Sequence, residues 1–186
     1  ARWAEAPITA RASPPSRKSA TRASGHIDSA FRSAMTDQGS DPAAIADAVG
    51  VTLWARDTAS RQMGMELVEI APGLARVRMR VREDMTNGHQ VGHGGYTFAL
   101  ADTALAFASN SHGELALTAS ATIEFLNPAR LGHVLMATAR EQSRGGRTGI
   151  SDVRVENQQG ELAALFRGCS ARLKDVRILG NGPSGA

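Results

Sequence analysis

Asn87-Gly88-His89-Gln90-Val91-Gly92-His93-Gly94-Gly95-Tyr96-Thr97-Phe98-Ala99-Leu100-Ala101-Asp102-Thr103-Ala104-Leu105-Ala106-Phe107-Ala108-Ser109-Asn110 is the stretch on which the fold turns. Its first seven residues are polar and glycine-rich, which marks a loop. From Gly94 onward the residues are small and apolar, and Asp102 is the one charge among them. Such a run is too long for a strand and long enough for a buried helix. It ends at Ser109-Asn110-Ser111-His112-Gly113, where Gly113 can supply a left-handed cap.

Asp102 is the anomaly. A carboxylate inside an apolar helix is costly unless it is paired or has a chemical task; an Asp bonded to a backbone or hydroxyl partner is the plain alternative. The other end of the helix adds a second feature. Gly94 and Gly95 stand at its start, where backbone N–H groups are free and the helix dipole is positive. Glycine there lets a ligand oxygen approach the backbone. A free amide able to hold an oxyanion, with a lone carboxylate, outlines an acyl-transfer site. Gly94 and Asp102 are eight positions apart, about 12 Å along the axis at a rise of roughly 1.5 Å per residue. One carbonyl cannot touch both on a single helix. Two antiparallel copies related by a two-fold axis would bring Gly94 of one chain beside Asp102 of the other, so the expected site is shared across a symmetric dimer.

The pattern NGHQ-x-x-HGG-x-x-F-x-LADTA-x-A-x-x-x-NS resembles that of the PaaI-type hotdog-fold acyl-CoA thioesterases of phenylacetic acid degradation. The likeness continues through Thr122-Ile123-Glu124-Phe125-Leu126-Asn127-Pro128, Gln142 to Thr148 and Ala164-Leu165-Phe166-Arg167-Gly168, and it covers roughly residues 50–175. It implies an α+β hotdog fold, a curved antiparallel sheet wrapped around one long helix; periodicity alone supports only α+β. It implies hydrolysis of (hydroxy)phenylacetyl-CoA or a similar aryl or medium-chain acyl-CoA. It places Asn87 near the thioester, His93 in support of the oxyanion glycine, and the chain in a homodimer or homotetramer. Coenzyme A is then part of the substrate, and no separate cofactor is expected.

Composition narrows the alternatives. The chain has 186 residues, 42% of them apolar and 21% charged, which suits one domain plus a tail. The net charge of +3 is unevenly placed. Residues 1–33 hold six of the 21 Arg and Lys and only two acids, so the remainder carries 15 basic and 16 acidic residues. A domain so balanced gives no footing for nucleic acid. No apolar run reaches membrane-spanning length. One cysteine, Cys169, forbids an intrachain disulfide and fits a reducing, cytoplasmic location. No carboxylate or thiol joins His89 and His93 at metal-ligand spacing, so no metal is expected.

Residues 1–42 read as a disordered extension, 43–175 as the domain and 176–186 as a flexible tail. The extension is rich in Ala, Ser and Arg and holds almost no large apolar residues, too few to offset its ordering entropy. It has some marks of a transit peptide; a start assigned too far upstream, or an added leader, is the simpler reading. Asp41-Pro42 starts a helix that continues to about Met63, with Gly50 and Val51 as a possible break.

Met65 to Ile70 reads as a strand and Ala71-Pro72-Gly73 as a turn. Leu74 to Arg82 alternates throughout, with Val77, Met79 and Val81 on one face and Arg76, Arg78, Arg80 and Arg82 on the other. The arginines form a solvated sheet face or a strip that draws CoA phosphates. After the central helix, strands are expected at Leu115–Leu126, His133–Gln142, Arg147–Asn157 and Glu161–Leu173. Thr118 and Ser120 share a face and could line the pocket near Asp102. Arg144, Arg147 and Lys174 are candidates for the CoA phosphates, or ordinary surface charges. Tyr96 and Phe98 could bracket an aryl group, although helix packing suits Phe98 as well.

In the expected reaction the amide of Gly94, or that of Gly95, stabilises the oxyanion. Asp102 of the second chain acts as general base or as nucleophile, and the CoA thiolate leaves without a strong acid. A non-catalytic acyl-CoA-binding or sensor protein of the same fold is the alternative. It would need an effector segment and would not need Asp102.

Overall fold

The computed structural model describes residues 41–179, so the extension expected over 1–42 lies outside it except for its last two residues. Helix α1 spans Pro42–Arg56 and α2 spans Thr58–Gln62. Strands β1 (Met65–Ala71) and β2 (Leu74–Arg80) follow, then a 3-10 turn at Glu83–Met85 and the long helix α3 (Gly94–Asn110). Four strands complete the domain: β3 (Glu114–Phe125), β4 (Val134–Gly145), β5 (Thr148–Glu156) and β6 (Leu162–Arg177). β6 therefore continues two residues into the segment expected as a tail.

The lead helix breaks at Asp57, not at Gly50. Asp57 ends one helix and caps the next, its side chain accepting the Ser60 N–H at 3.0 Å. Gly50 stays helical because it is a packing residue. A Cβ there would lie 2.8 Å from the Ile70 side chain, so its absence lets β1 press against α1. The Ser60 hydroxyl meets Thr103 Oγ1 at 3.1 Å and ties α2 to the central helix.

The six strands form one antiparallel sheet in the order β1-β2-β4-β5-β6-β3, and α3 touches all of them. Period-two patterning puts Ala75, Val77 and Met79 of β2, Leu135 and Ala137 of β4, and Val153 and Val155 of β5 into the core. They close on Leu100, Ala104, Leu105 and Ala108 of α3, which are fully buried. Gly168 on β6 belongs to this packing, since a Cβ there would strike the Leu105 side chain. Trp54 of α1 packs on Phe107 with ring centroids 5.8 Å apart.

On the opposite face two arginines of the strip are ion-paired. Arg78 donates to Glu66 at 2.7 and 3.0 Å, and Arg76 to Glu69 at 3.4 Å, each across the β1–β2 ladder. The strand stops at Arg80. Arg82 turns away to the Met63 carbonyl at 2.7 Å and to Asp84, and its hydrogen bond holds the Asp84 carboxyl below the ordinary range.

At the far end of α3, Asn110 is buried and fully used. It donates to the carbonyls of Ala106 and Ala116 and accepts the Ala116 N–H, all within 2.9 Å. That clasp sends the chain back along the helix as β3. β3 pairs only with β6 and so forms an edge of the sheet, where Leu117, Phe125 and Leu126 are about half exposed.

Candidate active site

The site is built at the junction of the 83–93 loop and α3. Met85 is buried and anchors the loop, and its carbonyl accepts the His93 N–H at 2.8 Å. Between them the chain doubles back. Asn87 N–H donates to Val91 O at 2.8 Å, and Gln90 takes a positive φ of 58° in the turn. Gly92 N–H reaches Ala129 O at 2.7 Å, and a Cβ on Gly92 would crowd both Ala129 and Val81. The loop is thus fastened to the β3–β4 connection.

Asn87 holds this turn with its side chain. Its Oδ1 accepts the N–H of His89 at 2.9 Å and of Val91 at 3.4 Å, an Asx-turn arrangement that leaves the Nδ2 group without a partner among the described residues. His93 is the N-cap of α3: its Nδ1 accepts the Gly95 N–H at 3.0 Å. In the neutral ring the proton is therefore on Nε2, which can donate at the exposed edge.

This cap corrects the expectation for the two glycines. The Gly95 amide is already occupied by His93. The Gly94 amide has no acceptor among the described residues, so it is the donor that remains for a ligand at the helix N-terminus. The ring of Phe125 covers the Gly94 α-carbon, and a Cβ there would meet Phe125 Cζ at 2.9 Å. Only glycine keeps both the ring and the open amide.

Asp102 is not the buried carboxylate that the apolar run led us to expect. In the single chain it is only half-buried, because its helix face looks out beside edge strand β3. Thr118 Oγ1 donates to Asp102 Oδ1 at 2.8 Å, and Oδ2 has no partner among the described residues. A β-bulge lies between Thr118 and Ser120. Thr118 is thus brought to the carboxylate, and Ser120 has no side-chain bond to it.

Other expectations change. Arg144 is paired with Glu114, which Arg172 also approaches at 3.5 Å. Glu114 begins β3 just after the C-terminal end of α3, so the Arg144 charge is used at the end opposite Gly94. Arg147 and Lys174 are exposed and carry no ion pair among the described residues. Phe98 packs edge-on against Phe166 with centroids 5.2 Å apart, and Tyr96 stands edge-on to His93 at 6.5 Å.

A pocket of about 370 Å³ opens beside Gly94, with walls from Val91, Thr97, Phe125, Leu126, Pro128 and Ala163. Sequence reasoning did not find this wall. Phe125 and Leu126 read as ordinary strand-end residues, and only their exposure at a sheet edge next to Gly94 sets them apart.

Comparison with known proteins fits this geometry. A family model described as "Thioesterase superfamily" matches residues 89–164. The acyl-coenzyme A thioesterase PaaI of Escherichia coli K12 is 42% identical over 121 residues, covering 65% of this chain and 86% of that protein. The chain belongs to the thioesterase superfamily. The α+β hotdog fold goes with that membership. The solved structure of the E. coli PaaI protein from the phenylacetic acid degradation operon superposes with a TM-score of 0.70 at 39% identity, over 72% of this chain and 96% of that one. Human acyl-coenzyme A thioesterase 13 is 31% identical over 104 residues, 54% of this chain and 74% of that protein. The structure of smu.793 from Streptococcus mutans, bound to acetyl CoA, matches with a TM-score of 0.57 at 28% identity, over 59% of this chain and 88% of that one. As for membranes, no helix among the described residues of this thioesterase-family chain is long and apolar enough to cross one.

Proposed function

We propose that this thioesterase hydrolyses acyl-CoA thioesters, with aryl or medium-chain acyl groups as substrates, at a site shared by two subunits. The observation that carries the reading is the pairing of an open amide at Gly94 with a carboxylate, Asp102, oriented by Thr118. The thioester oxygen accepts from Gly94 N–H, and the amide and helix dipole stabilise the negative charge that forms there; one such donor is worth about 3 kcal/mol. Asp102 of the second subunit takes a proton from water with its free Oδ2. The water oxygen bonds to the carbonyl carbon, the C–S bond breaks, and CoA leaves as thiolate, which takes up the proton. In this reading His93 Nε2 and the Asn87 amide orient the carbonyl or the water.

The shared site is supported by the spacing of Gly94 and Asp102 on one straight helix, about 12 Å along the axis. It is supported also by the half-exposed apolar residues on β3, the free edge that a second copy would cover. A homotetramer of two such dimers, without a separate cofactor and in the cytoplasm, completes the proposal; the single cysteine fits a reducing compartment.

The test is CoA release from phenylacetyl-CoA, 3,4-dihydroxyphenylacetyl-CoA and octanoyl-CoA by the wild type and by Asp102→Asn. The substitution keeps an oxygen for Thr118, so folding and assembly should persist while turnover falls about 10²–10⁴-fold. Full activity in Asp102→Asn would overturn the assignment. Tight acyl-CoA binding with no turnover in the wild type would favour the binding protein instead.

A further inference from the structure

By alternation Arg82 is the last arginine of the strip on β2, but the strand ends at Arg80 and the Arg82 side chain leaves the sheet. Its guanidinium makes three hydrogen bonds. Nε and Nη2 donate to the two carboxylate oxygens of Asp84, each at 3.0 Å, and Nη1 donates to the Met63 carbonyl at 2.7 Å. Met63 is the C-cap of α2, and a carbonyl at a helix end has no partner within its own helix. Gly64 makes room for the approach: its φ is 73°, and a Cβ there would lie 2.7 Å from Arg82 Nη1. α2 is itself tied to the central helix where Ser60 Oγ meets Thr103 Oγ1 at 3.1 Å, next to Asp102 in the chain. Met63 is therefore held relative to α3, and Arg82 fastens to it the start of the loop that leads to Gly94.

From Arg82 the connection runs through the backbone. Met85 N–H donates to Arg82 O at 3.1 Å, and Met85 O accepts the His93 N–H at 2.8 Å. His93 Nδ1 then takes the Gly95 amide and leaves that of Gly94 open. We propose that Arg82 is a positioning residue for the reaction: with Asp84 it braces the 83–93 loop against α2, and through Met85 it sets His93 and the direction of the Gly94 amide. The proposal rests on the thioesterase reading given above. Arg82 does not line the pocket beside Gly94, so it acts from outside the site. Its pair with Asp84 is 39% and 65% exposed, and exposed pairs add little to global stability. Loss of the brace therefore acts on the loop more than on the fold. A catalytic group misplaced by about 1 Å can cost about 10²-fold in rate. Lysine keeps the charge but lacks the planar fork that serves Asp84 and Met63 together.

Two measurements test this: kcat and KM for phenylacetyl-CoA, and amide hydrogen exchange at His93 and Gly95. They are made on the wild type, Arg82→Met, Arg82→Lys, His93→Ala and the double variant Arg82→Met with His93→Ala. Arg82→Met should lower kcat about tenfold with KM within about twofold. Exchange at the two amides should quicken about tenfold while the urea midpoint stays in place. Arg82→Lys should recover part of both losses. In the His93→Ala background, Arg82→Met should lower kcat by less than about twofold, because the residue through which it acts is already gone. Unchanged kcat and exchange in a folded Arg82→Met protein would overturn the brace, as would a full tenfold loss on top of His93→Ala. A loss of rate matched by a lower urea midpoint and unchanged amide exchange would also overturn it. If the wild type hydrolyses no ester, the thioesterase reading fails, and amide exchange alone decides whether Arg82 sets the loop.

Discussion

Mixing two inactive variants tests whether the site is shared. The premise is the geometry of α3: Gly94 and Asp102 are eight positions apart on one helix, about 12 Å. A single thioester cannot bridge that gap. Asp102→Asn removes the base and leaves the Gly94 amide intact. Gly94→Val leaves Asp102 intact but fills the approach to the amide and drives the Phe125 ring aside, since even a Cβ would lie 2.9 Å from it. Each homodimer should lose about 10²-fold or more in kcat. When the two are unfolded together and refolded at equal amounts, half of the dimers are mixed. Each mixed dimer carries one site with both functional groups intact and one with neither. Random pairing then gives about 25% of wild-type activity per site, far above either parent. The assay is CoA release against the mixing ratio, with the dimer verified by mass. The parabolic rise, maximal at equal mixing, is the expected signature. Activity that stays at the parental background at every ratio would refute the shared site and with it the antiparallel arrangement of the two helices.

Three further outcomes follow from the packing. His93→Ala removes the N-cap of α3 and should cost about 1 kcal/mol of stability, read by urea unfolding; an unchanged midpoint would mean the cap is replaced by water at no cost. Gly168→Ala should destabilise by about 1–3 kcal/mol, because its methyl group competes with Leu105 for the same space in a fully packed core. The third concerns pH. Arg167 donates two hydrogen bonds to Asp152, at 2.6 and 2.8 Å, and holds that carboxyl below its ordinary range. A depressed folded pKa adds stability above the unfolded value near 4, and this is lost as pH falls through the folded value. Arg167→Ala should therefore lower Tm at pH 7 and leave it unchanged near pH 2; an equal decrease at both would show that charge is not the cause.

The sequence alone determined the elements and the local chemistry of the chain. The alternation of Leu74 to Arg80 names its buried face, because a strand has period two. The seventeen-residue run from Gly94 to Asn110, mostly apolar, can satisfy its backbone inside a core only as a helix. The HGG start is legible for the same reason: a polar residue followed by two glycines at a helix N-terminus leaves an amide that no side chain crowds. What the sequence left open was decided by contacts between distant segments. Gly50 looks like a break until Ile70 packs on it, and Asp57 becomes the break through the bond of its side chain to Ser60 N–H. Gly94 and Gly95 are equivalent in a sequence; the imidazole of His93 takes the amide of one and leaves the other open. Asp102 reads as buried because its neighbours are apolar. Only the placing of β3 at the sheet edge leaves it half-buried and bonded to Thr118. Phe125, 31 residues beyond Gly94, reaches that glycine only because the sheet curves around the helix. Periodicity reports which side of its own element a residue faces; which residues share a site depends on strand order and curvature, and those are properties of the assembled sheet.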